Sequence, residues 1–171
     1  MKKGFTMIEL IFVIVILGIL ASVAIPRLAG TREDAEISAA VANLRTLLGD
    51  AASYYVLKGT FTGAKWTEIT SVPLKKTDGN AIDATAPAVG AAATANLKVG
   101  DVNDCIGVHV VDKNGNTPAH IKFTKKNPAT GVCQKVLESK PVAAYVDSKV
   151  NNGTNDGIAN AMAISSNTKI Y

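Results

Sequence analysis

The feature that most constrains this 171-residue chain is an uncharged apolar run near its amino terminus. From Leu10 to Ile25 no residue is charged, and most are large and aliphatic. Glu9 stands directly before this run, and the segment from Phe5 to Ile25 is 21 residues long. As an α-helix it would extend about 31 Å, close to the roughly 30 Å hydrocarbon thickness of a bilayer. The sequence therefore predicts a transmembrane helix with one carboxylate at its edge.

The charges around the run predict its orientation. Lys2 and Lys3 precede it, and the positive-inside tendency keeps them in the cytoplasm and sends the rest of the chain outward. Glu9 is costly in such a span, by about 2.5–3.5 kcal/mol at the bilayer centre and less near the interface, so we expect it to have a partner. The next charged residue toward the carboxyl end is Arg27, beyond helical reach. The remaining candidate cation would be a newly formed amino terminus.

The sequence Gly-Phe-Thr-Met-Ile-Glu over residues 4–9 resembles the signal of type IV prepilins and of their secretion-system relatives, the pseudopilins. The resemblance implies that a membrane peptidase cuts on the cytoplasmic side between Gly4 and Phe5 and then N-methylates Phe5. Glu9 becomes the fifth residue of the mature chain, where the family keeps a glutamate.

The resemblance also implies roles in assembly. Because an unpaired buried carboxylate is strongly penalised, we predict that Glu9 of one subunit meets the Phe5 amine of another and fixes the axial register. Gly18 and Pro26 match positions where many pilins carry glycine and proline. In family members the helix can extend in this segment when the filament assembles, so we predict helix flexibility at Gly18 and Pro26.

A helical pattern continues beyond Pro26. Apolar residues recur at intervals of three and four, which places them in one stripe along a helix. The stripe consists of Ile37, Val41, Leu44, Leu48, Ala51 and Tyr55. We expect one long helix from Phe5 to about Leu57, bent near Pro26 and stopped by Gly59. Its first half must be buried in lipid or against other copies, whereas its second half can cover a sheet.

The predicted fold class is therefore α+β and type IV pilin-like, with a long amino-terminal helix packed on a small antiparallel sheet. Residues 1–4 would form a cleaved cytoplasmic leader. Residues 5–58 would form the long helix, with 5–25 as the transmembrane segment or filament core. Residues 59–171 would form a globular head with a variable loop.

Within the head, we expect residues 59–104 to form mainly loop, with a short helix through Ala91–Ala95. Phe61 and Trp66 are expected to pack beneath this loop. The clearest sheet signal is a hairpin around Asn114-Gly115, the favoured pair for a two-residue turn. The turn would set Val110 opposite Ala119, Val108 opposite Ile121 and Ile106 opposite Phe123, all facing the helix stripe, and His109 opposite His120 on the other face. Further strands are predicted at Val132–Leu137 and Val142–Val146.

The two cysteines, Cys105 and Cys133, lie beyond the apolar run. If that part of the chain is exported, they are predicted to form a disulfide that ties the first hairpin strand to a later strand. The facing histidines have no evident third ligand, and the turn-rich stretch 151–157 contains one acid, Asp156, so we expect no metal or other cofactor. Whether the head holds calcium stays open.

The sequence also bears on the function class. It shows no nucleophile–base arrangement, phosphate-binding glycine loop or acidic pair, so we do not expect an enzyme. Two lysine doublets are too short for a nucleic-acid surface. The leading prediction is a structural subunit of a type IV pilus-like filament that serves adhesion, motility or DNA uptake. Its partners would be other copies of itself, the inner membrane, the prepilin peptidase and the pilus assembly machinery. Its head would be periplasmic before assembly, and the chain would end in an extracellular filament or a periplasmic pseudopilus.

Several alternatives stay open. A type II secretion pseudopilin or a minor pilin would carry the same amino-terminal signal. Ser22-Val23-Ala24 resembles a secretory cleavage site, which would leave Ile25 as the first residue. An unprocessed anchor would begin at Met1. A membrane-anchored ligand-binding module would carry a formed pocket in its head.

Overall fold

The computed structural model of the chain describes residues 6–76, 78–82, 95–150 and 158–164. The chain divides into two compact units, Met1–Ala35 and Glu36–Tyr171. The second unit contains an antiparallel sheet of five strands. Together with the long amino-terminal helix, this sheet confirms the predicted α+β class.

Helix α1 spans Met7–Lys58, a length of 52 residues. Its helical structure continues through Gly18 and Pro26, and the predicted bend near Pro26 stays a prediction. Gly59 ends the helix with φ of 74°, and its N–H donates to the Tyr55 carbonyl at 2.8 Å. Glycine tolerates this left-handed conformation, so the predicted stop is confirmed within one residue.

The remaining elements lie in the second unit. Among the described residues, three short helices follow α1 in chain order: α2 (Trp66–Ile69), α3 (Gly131–Glu138) and α4 (Lys140–Val146). The strands are β1 (Leu74–Lys75), β2 (Ala95–Val99), β3 (Val102–Val111), β4 (His120–Lys125), β5 (Lys149–Val150), β6 (Ile158–Ala159) and β7 (Ala161–Ala163). The main sheet has the order β1-β2-β3-β4-β7, and β5 pairs with β6 in a separate ribbon.

The core forms where the predicted helix stripe meets the sheet. Leu44 and Ala51 are fully buried, and the remaining stripe residues pack against the same cluster as partly buried side chains. Ala40 and Leu47 of α1 add to this face. All six hairpin residues predicted to face the stripe are buried in this cluster, so the predicted packing is confirmed.

The hairpin register was predicted wrongly by two residues. Val110 pairs with Ile121, Val108 with Phe123, Ile106 with Lys125, His109 with Lys122 and Val111 with His120. The reason lies in the turn: Asn114 and Thr117 exchange both backbone hydrogen bonds, which makes Gly115-Asn116 the central pair. Gly115 has φ of 55°, the positive value that a type II′ turn requires at its first central residue. A shift of two residues preserves the faces of both strands, so the core residues were identified correctly.

The predicted strands at Val132–Leu137 and Val142–Val146 are wrong, because these segments form α3 and α4. Cys133, Val136 and Leu137 are the buried residues of α3, at the spacing of three and four that marks one helix face. The buried residues of α4, Val142 and Val146, are likewise four apart. Strand burial would have alternated along the chain.

The described part of the region 59–104 contains more regular secondary structure than predicted. It contains α2, β1 and β2, and β3 begins within it. Phe61 and Trp66 are buried as expected. The alternating residues Ala95, Leu97 and Val99 of β2 are all buried, a pattern that the Ala- and Thr-rich composition obscured. Of the short helix predicted through Ala91–Ala95, residues 91–94 lie outside the described residues, and Ala95 begins β2.

Cys105 and Cys133 form the predicted disulfide, with a Cα–Cα distance of 5.7 Å. It ties β3 to helix α3 and not to a later strand. Both cysteines are fully buried. The bridge therefore holds α3 against β3 at one end of the core.

Replacing both cysteines with alanine should lower the free energy of unfolding. The bridge closes a loop across a sequence separation of 28 residues, which corresponds to roughly 3–4 kcal/mol in the chain-entropy description. Urea unfolding of the full chain in detergent would measure the difference, with the reduced wild-type chain as the matched control. Equal unfolding midpoints for the oxidised wild type and the double variant would contradict this role.

Candidate assembly site

The start of α1 forms a capping box between Thr6 and Glu9. The Thr6 N–H donates to Glu9 Oε2 at 2.8 Å, and the Thr6 hydroxyl donates to the same oxygen at 2.7 Å. The Glu9 N–H lies 3.4 Å from Thr6 Oγ1. This reciprocal pattern satisfies backbone N–H groups that have no partner inside the helix. It also places a carboxylate at the helix amino terminus, where the helix dipole favours negative charge.

Thr6 is the residue that sequence reasoning missed. The expected partner of Glu9 is a charged group, whereas the structure provides a neutral one, Thr6, three residues earlier. The signal was present, since Thr-x-x-Glu before an apolar run is a capping-box pattern. Glu9 therefore has hydrogen-bond partners within its own chain, although no cation contributes to them.

The apolar run beyond Glu9 is exposed on every side of the helix. The consecutive residues Ile11, Phe12, Val13 and Ile14 are 55%, 66%, 49% and 61% exposed, so no face of this segment is covered. By length and composition alone, α1 is able to cross a membrane. A helix that is apolar on all sides is stable in lipid or inside a protein assembly, not in water.

The other predicted site residues of this segment remain predictions. Gly4 and Phe5 lie outside the described residues, so the structure does not test cleavage or methylation. Gly18 lies within α1, and a Cβ added there would meet no atom within 4 Å. Pro26 also lies within α1. Helix flexibility at these two positions is untested.

The two histidines of the hairpin are not cross-strand partners. His120 is buried, and its Nδ1 lies 2.9 Å from the Pro118 carbonyl oxygen. His109 pairs with Lys122. Burial, and then the positive charge of Lys122, lowers the pKa of His109. Within the described ranges, no cluster of three or more His, Cys, Asp or Glu side chains is arranged to hold a metal ion. The stretch 151–157 lies outside these ranges.

A cleft of about 310 Å³ lies beside α2 and β1. Trp66, Leu74 and Ile82 contribute its apolar lining. The hydroxyls of Thr70 and Ser71, which also line it, donate to the Asp50 carboxylate at 2.8 and 3.3 Å. These hydroxyls therefore serve to hold the segment after α2 against α1. This use of the polar groups does not favour a ligand-binding module.

Comparison with known proteins supports the resemblance of the amino-terminal segment to prepilins. Residues 1–25 match the family described as the prokaryotic N-terminal methylation motif. The amino-terminal segment of the chain is therefore similar to that of type IV pilin-like prepilins.

Within that class, the curated proteins that it resembles include type II secretion system core protein G from three bacteria. The protein of Klebsiella pneumoniae is 43% identical over 53 residues, which cover 31% of this chain and 38% of that protein. Those of Aeromonas hydrophila and Escherichia coli K12 are 48% and 44% identical over 46 residues, which cover 27% of this chain and 32% of each relative. The chain thus spans about a third of the length of the curated relatives it matches. No solved structure matches it significantly.

Substituting Thr6 with valine should loosen the first turn of α1. The change removes the hydroxyl that donates to Glu9 and accepts from its N–H, and loss of such a cap costs about 1 kcal/mol. Amide hydrogen exchange of the full chain in detergent should accelerate at residues 7–10. Thr31→Val is the matched control, because the Thr31 hydroxyl donates to the Leu28 carbonyl within the helix. Unchanged exchange at residues 7–10 in the Thr6 variant would show that the capping box does not hold this turn.

Proposed function

We propose that this chain is a structural subunit of a pilus-like filament, held in the inner membrane before assembly. The observation that carries the proposal is a single carboxylate, Glu9, at the start of a helix that is apolar on all sides up to Ile25 and whose first part lies within the methylation motif at residues 1–25. Such a segment is stable in a bilayer and can leave it when equivalent segments of other copies surround it. The driving force is close packing of helices, which lipid only partly matches.

Processing gives Glu9 a charged partner. Removal of residues 1–4 creates a new amine on Phe5, four residues before Glu9 in the sequence. Within one chain, the Thr6 hydrogen bonds orient this carboxylate but leave its charge unneutralised. In the filament, the Phe5 amine of a neighbouring copy neutralises it. Because a buried charge without a counter-charge is strongly destabilising, this pair fixes the axial register between copies.

The topology follows from the same segment. Lys2 and Lys3 stay in the cytoplasm, and the head lies in the periplasm before assembly. The prepilin peptidase and an assembly machinery are the partners that this route requires, and other copies of the chain are the partners in the filament. We assign the chain a structural role and no enzymatic one, since the chemistry inferred at Gly4 and Phe5 is carried out on the chain by another protein.

A type II secretion filament is the second, more specific proposal. It is favoured by the relatives named above, which are core protein G subunits of that system. The competing roles are those of a pilus in adhesion, motility or DNA uptake, with this chain as a major or minor pilin. The methylation motif is common to all of these filaments, so it supports the filament and not one particular role.

The first residue of the mature chain tests the filament proposal. We expect chain purified from membranes to begin at Phe5 with one methyl group on its amine, as measured by intact mass and by sequencing of the amino-terminal peptide. A Gly4→Leu variant should retain residues 1–4, because its side chain obstructs the peptidase. A chain beginning at Ile25 would instead identify a secretory signal peptide, and one beginning at Met1 would identify an unprocessed anchor.

The phenotype of a strain that lacks this chain separates secretion from a pilus role. For a type II secretion subunit, we expect extracellular enzymes to accumulate in the periplasm while surface filaments remain. The wild-type gene should restore export, and the Gly4→Leu variant should not. Normal export together with loss of sheared surface filaments would assign the chain to a pilus instead.

A further inference from the structure

The carboxyl-terminal end of α1 carries an exposed apolar pair. Val56 and Leu57 are each 81% exposed. Every other large apolar side chain in the described part of residues 36–164 is buried or partly buried. The remaining exposed large apolar residues of the described chain lie between Met7 and Leu28. Isolated exposed apolar residues are common on proteins. The adjacency of these two, in a unit whose other large apolar side chains are covered wherever the structure describes them, makes them a candidate contact with a partner.

The last turn that presents this pair is held in place by the segment after it. The Asp112 carboxylate, at the end of β3, accepts hydrogen bonds from the Thr60 hydroxyl at 2.9 Å, the Thr62 hydroxyl at 2.8 Å and the Phe61 N–H. Phe61 is fully buried, and the Tyr54 ring stacks on it at a centroid distance of 6.0 Å.

The Asp112 clasp persists at neutral pH. Burial raises the pKa of Asp112, but the hydrogen bonds from Phe61, Thr62 and Thr60 together lower it below its ordinary value. The carboxylate is therefore charged near pH 7 and continues to accept these bonds. Val56 and Leu57 stand on a fixed turn, which reduces the conformational entropy lost when the surface is covered.

We propose that Val56 and Leu57 form a contact surface for a second copy of this chain within the assembled filament. The proposal rests on the filament function proposed above. Two such side chains bury on the order of 200 Å², far less than the roughly 1,200 Å² of a stable interface between free proteins. The surface is too small to capture a freely diffusing partner.

The small size of the surface therefore points to a partner that another contact already holds nearby. Tethering converts a second contact into an intramolecular step with a high effective concentration, so a weak surface becomes useful. Copies packed through their amino-terminal apolar helices meet this condition. The Val56–Leu57 surface thus adds stability to a filament without causing the heads to dimerise in solution.

The contact has to join two different surfaces. A patch that meets itself on a second copy requires a two-fold axis, which closes the assembly as a dimer. A filament grows through a contact that does not close, in which one surface meets another surface of the next copy. We therefore expect Val56 and Leu57 to meet residues other than Val56 and Leu57 on the neighbouring copy.

Filament yield tests the surface. In a V56S/L57S double variant, we expect the membranes to contain as much of the chain as in wild type. We also expect its amino-terminal peptide to have the mass that begins at methylated Phe5, because both side chains are exposed and far in sequence from the processing site. The assembled fraction recovered by shear or osmotic release should fall several-fold. The matched control is V56I/L57M, which keeps the surface apolar and should assemble as wild type does. Wild-type filament yield in the serine variant would overturn the proposal.

A photocrosslinker tests the identity of the partner. Benzoylphenylalanine at position 57 should give an adduct of two copies of this chain, mapped by mass spectrometry to a residue outside 56–57 of the second copy. Adducts between the two 57 positions, adducts only with a different protein, or no adduct in formed filaments would each overturn it. If the wild-type chain does not begin at Phe5 or forms no filament, the proposed function itself falls. If wild-type filaments form normally, a negative result removes the surface assignment alone.

Discussion

A single carboxylate at the amino-terminal end of an apolar helix is the constraint on which the rest of this protein depends. Glu9 is hydrogen-bonded by the Thr6 N–H and hydroxyl, so it is oriented before any partner arrives. The residues that follow are exposed on every side, which excludes water as their stable environment. A bilayer and a bundle of equivalent helices are the two media that suit them. In the proposed function, assembly of the filament moves this helix from the bilayer into a bundle of equivalent helices.

The same helix serves a different purpose in the second unit. From Ile37 to Tyr55 its large apolar residues lie on the side that packs on the antiparallel sheet, whereas Val56 and Leu57 are exposed. Gly59 then ends the helix, and the Asp112 clasp and the bridge between Cys105 and Cys133 hold the sheet to the flanking segments. The first part of the helix, which is apolar on all sides, is therefore the segment proposed to pack against other copies. The later part, with apolar residues on one side, belongs to the folded domain.

The sequence allowed the helix, its stripe and the core face of the hairpin to be predicted, because each depends on residue spacing that local physics imposes. The disulfide was predictable because the chain has two cysteines and both lie in the part expected to be exported. The register could not be read from Asn114-Gly115, since the structure uses Gly115 one position earlier in the turn, as a type II′ turn requires. The segments that form α3 and α4 are only 8 and 7 residues long, too short for periodicity to separate helix from strand with ease. Thr6 was missed because a charged partner was sought for Glu9 where a capping hydroxyl was present.

The most direct test of the central claim is the environment of Glu9 in the assembled filament, determined by electron cryomicroscopy at a resolution that shows side chains. We expect a Glu9 carboxylate oxygen to lie at hydrogen-bonding distance, about 2.7–3.2 Å, from the Phe5 nitrogen of another copy. A Glu9 bonded only to Thr6 of its own chain, with no amine of a neighbouring copy beside it, would contradict this origin of the filament register.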